Sequence, residues 1–315
     1  MIIKKGSKGE EVKEIQIFLG LEDDGVFGPN TEKAVKIWQK TNGLLDDGIV
    51  GPATRNAMGL IDTDFQKNNI KEEGSILINK HHLPKSEYRA GPIKPKWLFI
   101  HHTAGWHNPY KVIDDWATDK IGQIGTEFVL GGPSIKGDNY KHDGEIVQAF
   151  PHKSYAWHLG ANGSQTMHIN SIGIEVCNFG YLSKGGYFKY NPKTKKNVWV
   201  ALKKDEFYTY AGVSAHESQI VVLNKAFRGY THWHKYSDKQ ICELKELILH
   251  IGNRDSIDIR AGLPKLIKEK GADAFEWNEK AFSGKEQGLW SHTNTRKDKT
   301  DMFPQQELMD MLVSL

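Results

Sequence analysis

The run Trp97-Leu98-Phe99-Ile100, preceded by Gly91, Pro92 and Pro95 and closed by His101-His102-Thr103-Ala104-Gly105, constrains the fold more than any other stretch. Four consecutive apolar residues between turn-formers predict a strand buried on both faces at the centre of a sheet. A neutral imidazole nitrogen is a metal ligand, and a rigid strand end is a good place from which to aim it. Two histidines at a strand end are equally compatible with ordinary polar residues at a terminus. Their meaning depends on what the rest of the chain places beside them.

At 315 residues the chain can form one large or two ordinary domains with real cores. Its 42 basic and 39 acidic residues nearly cancel, and no basic block is dense enough to predict nucleic-acid binding, so a different polymer is an equally good partner. The amino terminus Met1-Ile2-Ile3-Lys4-Lys5-Gly6 has no apolar signal region, and no later run approaches a membrane span. This predicts synthesis in the cytosol, no membrane insertion and outside help for any export. With only Cys177 and Cys242, no disulfide framework is expected. Most of the 14 histidines and nine tryptophans fall after residue 95.

Residues 1–59 contain an internal repeat: Asp23-Asp24-Gly25-Val26-Phe27-Gly28-Pro29-Asn30-Thr31 returns as Asp46-Asp47-Gly48-Ile49-Val50-Gly51-Pro52-Ala53-Thr54. Asp-Gly makes a turn, Gly-Pro a second bend, and the threonine falls where a helix N-cap is expected. Val12, Ile15 and Leu19 before the first loop, and Ala34, Val35 and Trp38 after it, keep helical spacing. Ser7-Lys8-Gly9-Glu10 reads as a capping box for the first helix. Three small helices over residues 1–60 are expected.

Residues 61–95 read as a polar linker and entry segment. From 96 onward strands and helices alternate: a helix capped by Asn108-Pro109, strands at Glu127–Leu130 and Glu145–Phe150, and a central strand Ser171-Ile172-Gly173-Ile174-Glu175-Val176-Cys177. That strand carries one carboxylate in an apolar run, which must be paired, protonated or functional. Residues 181–230, rich in Tyr, Lys and Gly, read as an inserted hairpin region of undetermined role. Ser237-Asp238-Lys239-Gln240 opens an amphipathic helix, and Leu308, Met311, Leu312 and Leu315 predict a short terminal one. The pair His81-His82 lacks a second ligand cluster nearby; His232 and His234, two apart, share one strand face and read as substrate contact or packing rather than a second metal site; and Cys177 lacks a nucleophile motif and reads as core.

The repeat of residues 1–59, with Gln16 and Gln39 in its helices, resembles the peptidoglycan-binding domain of bacterial and phage wall hydrolases. Ile100-His101-His102-Thr103-Ala104, Ala156-Trp157-His158-Leu159-Gly160, Ser171–Glu175 and the segment His292–Asp301, in that order, resemble the zinc-dependent N-acetylmuramoyl-L-alanine amidases, a family that includes the peptidoglycan recognition proteins. The resemblance implies an α/β fold, a mixed central sheet flanked by helices, over residues 96–315, joined to the small all-α domain.

It further implies Zn2+ held by His101, His292 and Asp301, with Asp298 a less favoured third ligand. Two imidazoles and a carboxylate leave a fourth position for water, the pattern of a catalytic zinc, which lowers that water's pKa to about 7. Glu175 matches the family's acid or base and Lys299 its oxyanion stabiliser, while Trp157, His158, His102 and Thr103 match positions around the substrate. Thr126 stands where other members carry a tyrosine, which places more weight on Glu175. Ser291 before the second ligand, and Met302-Phe303-Pro304 after the third, depart from the common pattern. The implied activity is hydrolysis of the amide between N-acetylmuramic acid and L-alanine in peptidoglycan. The expected setting is a monomeric phage endolysin, held in the host cytoplasm until released to the wall. A non-catalytic peptidoglycan receptor and a bacterial autolysin, cutting this or another wall amide, are the alternatives.

Overall fold

The computed structural model describes residues 3–42, 46–51, 54–55, 58, 76–90, 94–160 and 164–315. The chain divides into two compact units, Met1–Glu73 and Gly74–Leu315.

In the first unit, helices Glu10–Phe18 and Pro29–Thr41 bury Val12, Ile15 and Val35 against Ile3, Phe27, Val50 and Met58. The repeat has a physical basis in two buried glutamines. Gln16 Nε2 donates to Asp24 Oδ1 (2.7 Å), Val26 O (3.2 Å) and Thr31 Oγ1 (3.2 Å), and its Oε1 accepts from Gly25 N (2.9 Å). Gln39 does the same with Asp47 (2.9 Å), Ile49 O (2.9 Å), Thr54 (3.1 Å) and Gly48 N (2.9 Å). Gly25 and Gly48 hold φ of 69° and 73°, the left-handed region that glycine enters at no steric cost. Two local expectations are corrected. Thr31 lies inside its helix, where Gly28 is the N-cap and Pro29 opens the first turn, because its hydroxyl is needed by Gln16. Ser7 forms no capping box: its Oγ accepts from Lys4 N (3.1 Å), and Gly9 caps the first helix without a side chain. Of the expected third helix, Thr54, Arg55 and Met58 are described and helical, while its other residues and most of the expected linker lie outside the described residues.

The second unit is built on a six-stranded sheet in the order Ile78–Lys80, Ile146–Gln148, Phe128–Leu130, Ser171–Val176, Trp97–His102 and Gly288–Ser291. It is mixed, because Phe128–Leu130 and Ile146–Gln148 pair antiparallel while every other pair is parallel. The sheet begins earlier than the expected entry boundary, with Ile78–Lys80 as an edge strand. One face carries Leu98, Ile100, Ile172, Ile174, Phe128 and Leu130, and packs on Ile241, Leu244, Leu247, Ile248 and Ile251 of the helix Asp238–Asp255. That helix has the predicted capping box between Ser237 and Gln240. On the other face, Val129 and Val147 meet Ile113 of the helix Pro109–Thr118, whose N-cap Asn108 accepts from Tyr110 N and Lys111 N. The terminal helix Gln306–Val313 buries Leu308, Met311 and Leu312 in the larger core.

The insertion forms three antiparallel ribbons among the described residues, Ser183–Lys184 with Phe207–Tyr208, Gly186–Asn191 with Lys196–Ala201, and Ile220–Phe227 with Tyr230–His234. Among the described residues no helix is long and apolar enough to cross a membrane.

Replacing Gln39 with leucine keeps the volume but strands Gly48 N–H and Ile49 C=O. The expected loss is about 2–4 kcal/mol, from unmet buried polar groups. Chemical denaturation should show the first unit's transition moving while that of the second stays in place. An unmoved first transition would refute the glutamine's structural role.

Candidate metal centre and its cleft

Strand register builds the site. Trp97–His102 runs parallel to Ser171–Val176, with His101 opposite Glu175, and parallel to Gly288–Ser291, with Ile100 opposite Ser291. Residues in parallel register share a face, so His101 and Glu175 project to the same side. One residue past the Ile100–Ser291 pair, the chain enters the short helix His292–Thr295, which puts His292 level with His101. Three neighbouring strands therefore deliver Glu175, His101 and His292 in one row at their carboxyl ends.

The return of the chain is also fixed. Asn294, wholly buried, donates to Ala274 O (2.8 Å) and Glu276 O (2.9 Å) and accepts from Ser291 N and Oγ. Thr293 N–H donates to Asp301 O (2.9 Å), closing the loop so that Asp301 comes back over the histidines. Asp301 Oδ2 then lies 2.9 Å from His292 Nδ1 and 3.4 Å from His101 Nδ1, and the two imidazole rings are 4.5 Å apart. These three residues are all buried, and they form the one group of three or more His, Cys, Asp or Glu among the described residues that could hold a metal ion. Asp298, the alternative third ligand, is an exposed residue of the cleft described below, outside the group of three and forked by Arg296 at 3.0 and 2.5 Å.

Behind His101 stands His158, whose Nδ1 is 3.1 Å from His101 Nε2 and whose Nε2 is 2.8 Å from Ser171 Oγ. Gly173 makes this possible: a Cβ there would sit 2.5 Å from Thr126 Cγ2 and 3.1 Å from His158 Nδ1. Glu175 and Lys299 line a cleft of about 580 Å³ together with His102, Thr103, Trp157, His158, His292 and Asp301. Every expected site residue thus lies in the metal group or the cleft wall, His101 belonging to the group alone. His102 has a second attachment: its Nδ1 is 2.9 Å from Tyr236 OH and its ring lies against Phe303. Thr103 Oγ1 accepts from Asn178 N (3.2 Å), tying two strand ends. Cleft residues not anticipated are Trp116, Ile124, Tyr181 and Arg296. Trp116 carried a signal, but one shared with core residues of its helix. Arg296 could not be read from spacing, since its place depends on Gly160, where a Cβ would meet its Nη1 at 2.1 Å.

The remaining histidine pairs are structural. His234 Nδ1 accepts from Phe179 N (3.1 Å), His232 stacks on Phe207 at 4.1 Å, and His81 pairs with Asp114.

Burial pushes the His101 imidazole down to about 4, helped by His292 and opposed by Asp301. His158 is driven well below the ordinary value, chiefly by burial and then by His101. Burial would raise Asp301, but the two histidines outweigh it and hold the carboxyl well below the usual range. Glu175 goes the other way: burial and then the Asp301 charge raise it well above an ordinary glutamate, with Lys299 opposing. Its Oε2 is shielded from solvent without a hydrogen-bond partner. The site therefore combines neutral imidazoles, an ionised aspartate and a carboxyl with a raised proton affinity.

The N-acetylmuramoyl-L-alanine amidase family model matches residues 91–298, two-thirds of the chain. The chain belongs to this family. The match contains His101, Glu175 and His292 and ends before Lys299 and Asp301, which the fold adds. A peptidoglycan binding domain model matches residues 8–58. The chain is similar to N-acetylmuramoyl-L-alanine amidase CwlA of Bacillus subtilis (strain 168), 27% identical over 124 residues, covering 38% of this chain and 40% of that relative, so it spans less than half of that relative's length. Among solved structures it is similar to the catalytic domain of XlyA, at 14% identity and TM-score 0.37, covering 76% of this chain and 96% of that one. It is also similar to a peptidoglycan-binding protein from Clostridioides difficile, at 44% identity and TM-score 0.19, covering 19% and 40% of the respective chains.

The histidines carry a pH consequence for the chain without metal. His101 and His102 are lowered to about 4 and His234 to about 3, all mainly by burial, against about 6.5 when unfolded. Between those values the unfolded chain binds more protons, so stability rises with pH across the window and is lost on acidification. Glu175 opposes this with one group against three. The thermal midpoint of the metal-free second unit should fall steeply between pH 6.5 and 4.5; a flat profile would refute neutral burial of these histidines.

Proposed function

We propose that the second unit hydrolyses the amide joining the lactyl group of N-acetylmuramic acid to L-alanine in peptidoglycan, using zinc held by His101, His292 and Asp301. The observation that carries this reading is the convergence of two imidazole Nδ1 atoms on one Asp301 oxygen, beside Glu175. In a tetrahedral site with bonds of about 2.0–2.1 Å, ligand atoms lie about 3.3 Å apart. The separations of 2.9 and 3.4 Å suit that size, and two nitrogens with one carboxylate are donors zinc accepts.

Bound zinc would supply an activated water and polarise the scissile carbonyl. The chain's own groups do the rest. A metal on His101 Nδ1 requires the ring proton on Nε2, which His158 Nδ1 is placed to accept, while Ser171 Oγ takes the proton that His158 carries on Nε2. Glu175 accepts the proton from the attacking water and returns it to the departing alanine nitrogen, a transfer favoured by its raised proton affinity. Lys299, on the cleft wall and close enough to oppose that rise, offsets negative charge on the carbonyl oxygen. Trp157, Thr103 and His102 bound the cleft on the substrate side.

The first unit holds the enzyme on the wall, and the pairing of the two units in one chain supports a wall-lytic role. The setting we favour is a phage lysin that acts on the wall of its host cell.

The first test is mass spectrometry of peptidoglycan digested by the purified protein, where new L-alanine amino termini with intact glycan chains are expected. Products cut within the glycan or between stem peptides would overturn the bond assignment. His101→Ala or His292→Ala should abolish both zinc retention and wall lysis; lysis by a zinc-free variant would end the metal reading. Glu175→Gln should keep zinc and lower kcat about 10²–10⁴-fold. Ser171→Ala should weaken zinc affinity about 10-fold, the scale of an outer-shell loss, read by competition with a chelator.

A further inference from the structure

The ribbon Gly186–Asn191/Lys196–Ala201 is not used by the chemistry above, yet its composition is unlike that of the rest of the chain. Between Lys184 and Lys204 there are seven lysines and no acidic residue, which more than supplies the whole formal excess of three positive charges. Every residue from Pro192 to Trp199 is exposed. Lys184 and Lys203 have acidic neighbours in Asp205 and Glu206, whereas Lys189, Lys193, Lys195 and Lys196 form no ion pair with a described residue.

Aromatic residues share one side of the ribbon. Phe188 is registered opposite Trp199 and Tyr190 opposite Asn197, so Phe188, Tyr190 and Trp199 project to one face. They are 57%, 58% and 42% exposed, an unusual cost for three large side chains in water. Tyr187, on the opposite face, packs at Gly212, which turns the aromatic face outward. Tyr210 nearby donates its hydroxyl to Ala104 O (2.7 Å), and Ala104 lines the cleft. The ribbon is therefore rooted at the cleft rim.

We propose that this ribbon is a second polymer-holding arm, which takes the glycan strand of the same peptidoglycan whose stem amide the cleft cuts. The proposal rests on the wall-amidase reading for the identity of the polymer. Sugar rings offer flat C–H faces to Phe188, Tyr190 and Trp199, and the carboxylates of the stem peptides offer charge to the lysines. A six-residue strand spans about 20 Å, enough for several sugar units. A bilayer fits less well, because the tip Asn191-Pro192-Lys193-Thr194-Lys195-Lys196 is polar and has no apolar residue to insert. Rooting at the cleft rim favours the cleaved polymer over an unrelated wall polyanion.

The test uses the full chain with two variant sets, Lys189→Gln/Lys193→Gln/Lys195→Gln/Lys196→Gln and Phe188→Ser/Tyr190→Ser. Retention is measured on peptidoglycan sacs freed of phosphate polymers by acid, and turnover on a soluble muramoyl-peptide. Each set should weaken sac retention about tenfold, since one of two linked contacts is lost, with kcat/KM on the soluble fragment unchanged. The lysine effect should vanish at about 1 M salt and the aromatic effect should remain. Lys→Arg at the same four positions should restore retention. Parental retention by both glutamine and serine sets would overturn the proposal. So would a loss seen only on sacs that keep their phosphate polymers, or only on anionic lipid vesicles. If the parent cleaves neither substrate, the amidase reading fails, while sac retention still decides the role of the ribbon.

Discussion

The parallel pairing of Trp97–His102 with a strand on each side is the constraint on which the site depends. Parallel strands end together, so their carboxyl ends form one edge where Glu175, His101 and His292 can meet. A slip of one residue would turn every side chain over, putting His102 and Val176 where His101 and Glu175 now stand. The opposite face prevents that slip, because Leu98, Ile100, Ile172 and Ile174 are committed to the helix Asp238–Asp255. Packing on one side of the sheet thereby sets the chemistry on the other.

The charges of the site hold one another in unusual states. Asp301 stays ionised in a buried place because His292 and His101 face it, while burial outweighs the pull of that carboxylate on His101 and keeps its imidazole hard to protonate. Glu175 Oε2 and His292 Nε2 are shielded from water and lack partners. Such unmet groups are costly in a core and are tolerated where a substrate or an ion is to be received. The comparison with Glu127 is instructive. Glu127 is a buried carboxylate just before an apolar strand, but Arg254 forks it at 2.8 and 3.1 Å and Gln148 donates to it at 3.0 Å. One glutamate is therefore fully partnered and the other keeps an oxygen without a partner, though both look alike in sequence.

In the first unit, the glutamine-centred knots repeat because the same local problem is solved twice. Each loop must expose few backbone groups while turning sharply, and one buried amide satisfies three acceptors and a donor at once. The glycines and aspartates of the repeat serve those knots. The lysine-rich ribbon of the second unit has the opposite character, with its charge and aromatic surface turned out to solvent.

Local patterns in the chain were enough to determine the buried central strand, the amphipathic helices, the Asn108 and Ser237 caps and the existence of a loop repeat. Each of these depends on residues within a turn or two of one another. The four motifs of the second unit placed His101, His158, Glu175 and the His292–Asp301 segment in one family, and so anticipated a shared site. The motif favoured Asp301 over Asp298, with both within reach of a ligand role. The tertiary structure gives them different partners, because Thr293 draws Asp301 back to the histidines while Arg296 forks Asp298. Likewise, the partners that distinguish Glu127 from Glu175, the seat of His158 over Gly173, and the outward face of the ribbon arise from contacts between residues far apart in sequence. Those contacts are decided by packing and register, which no local pattern records.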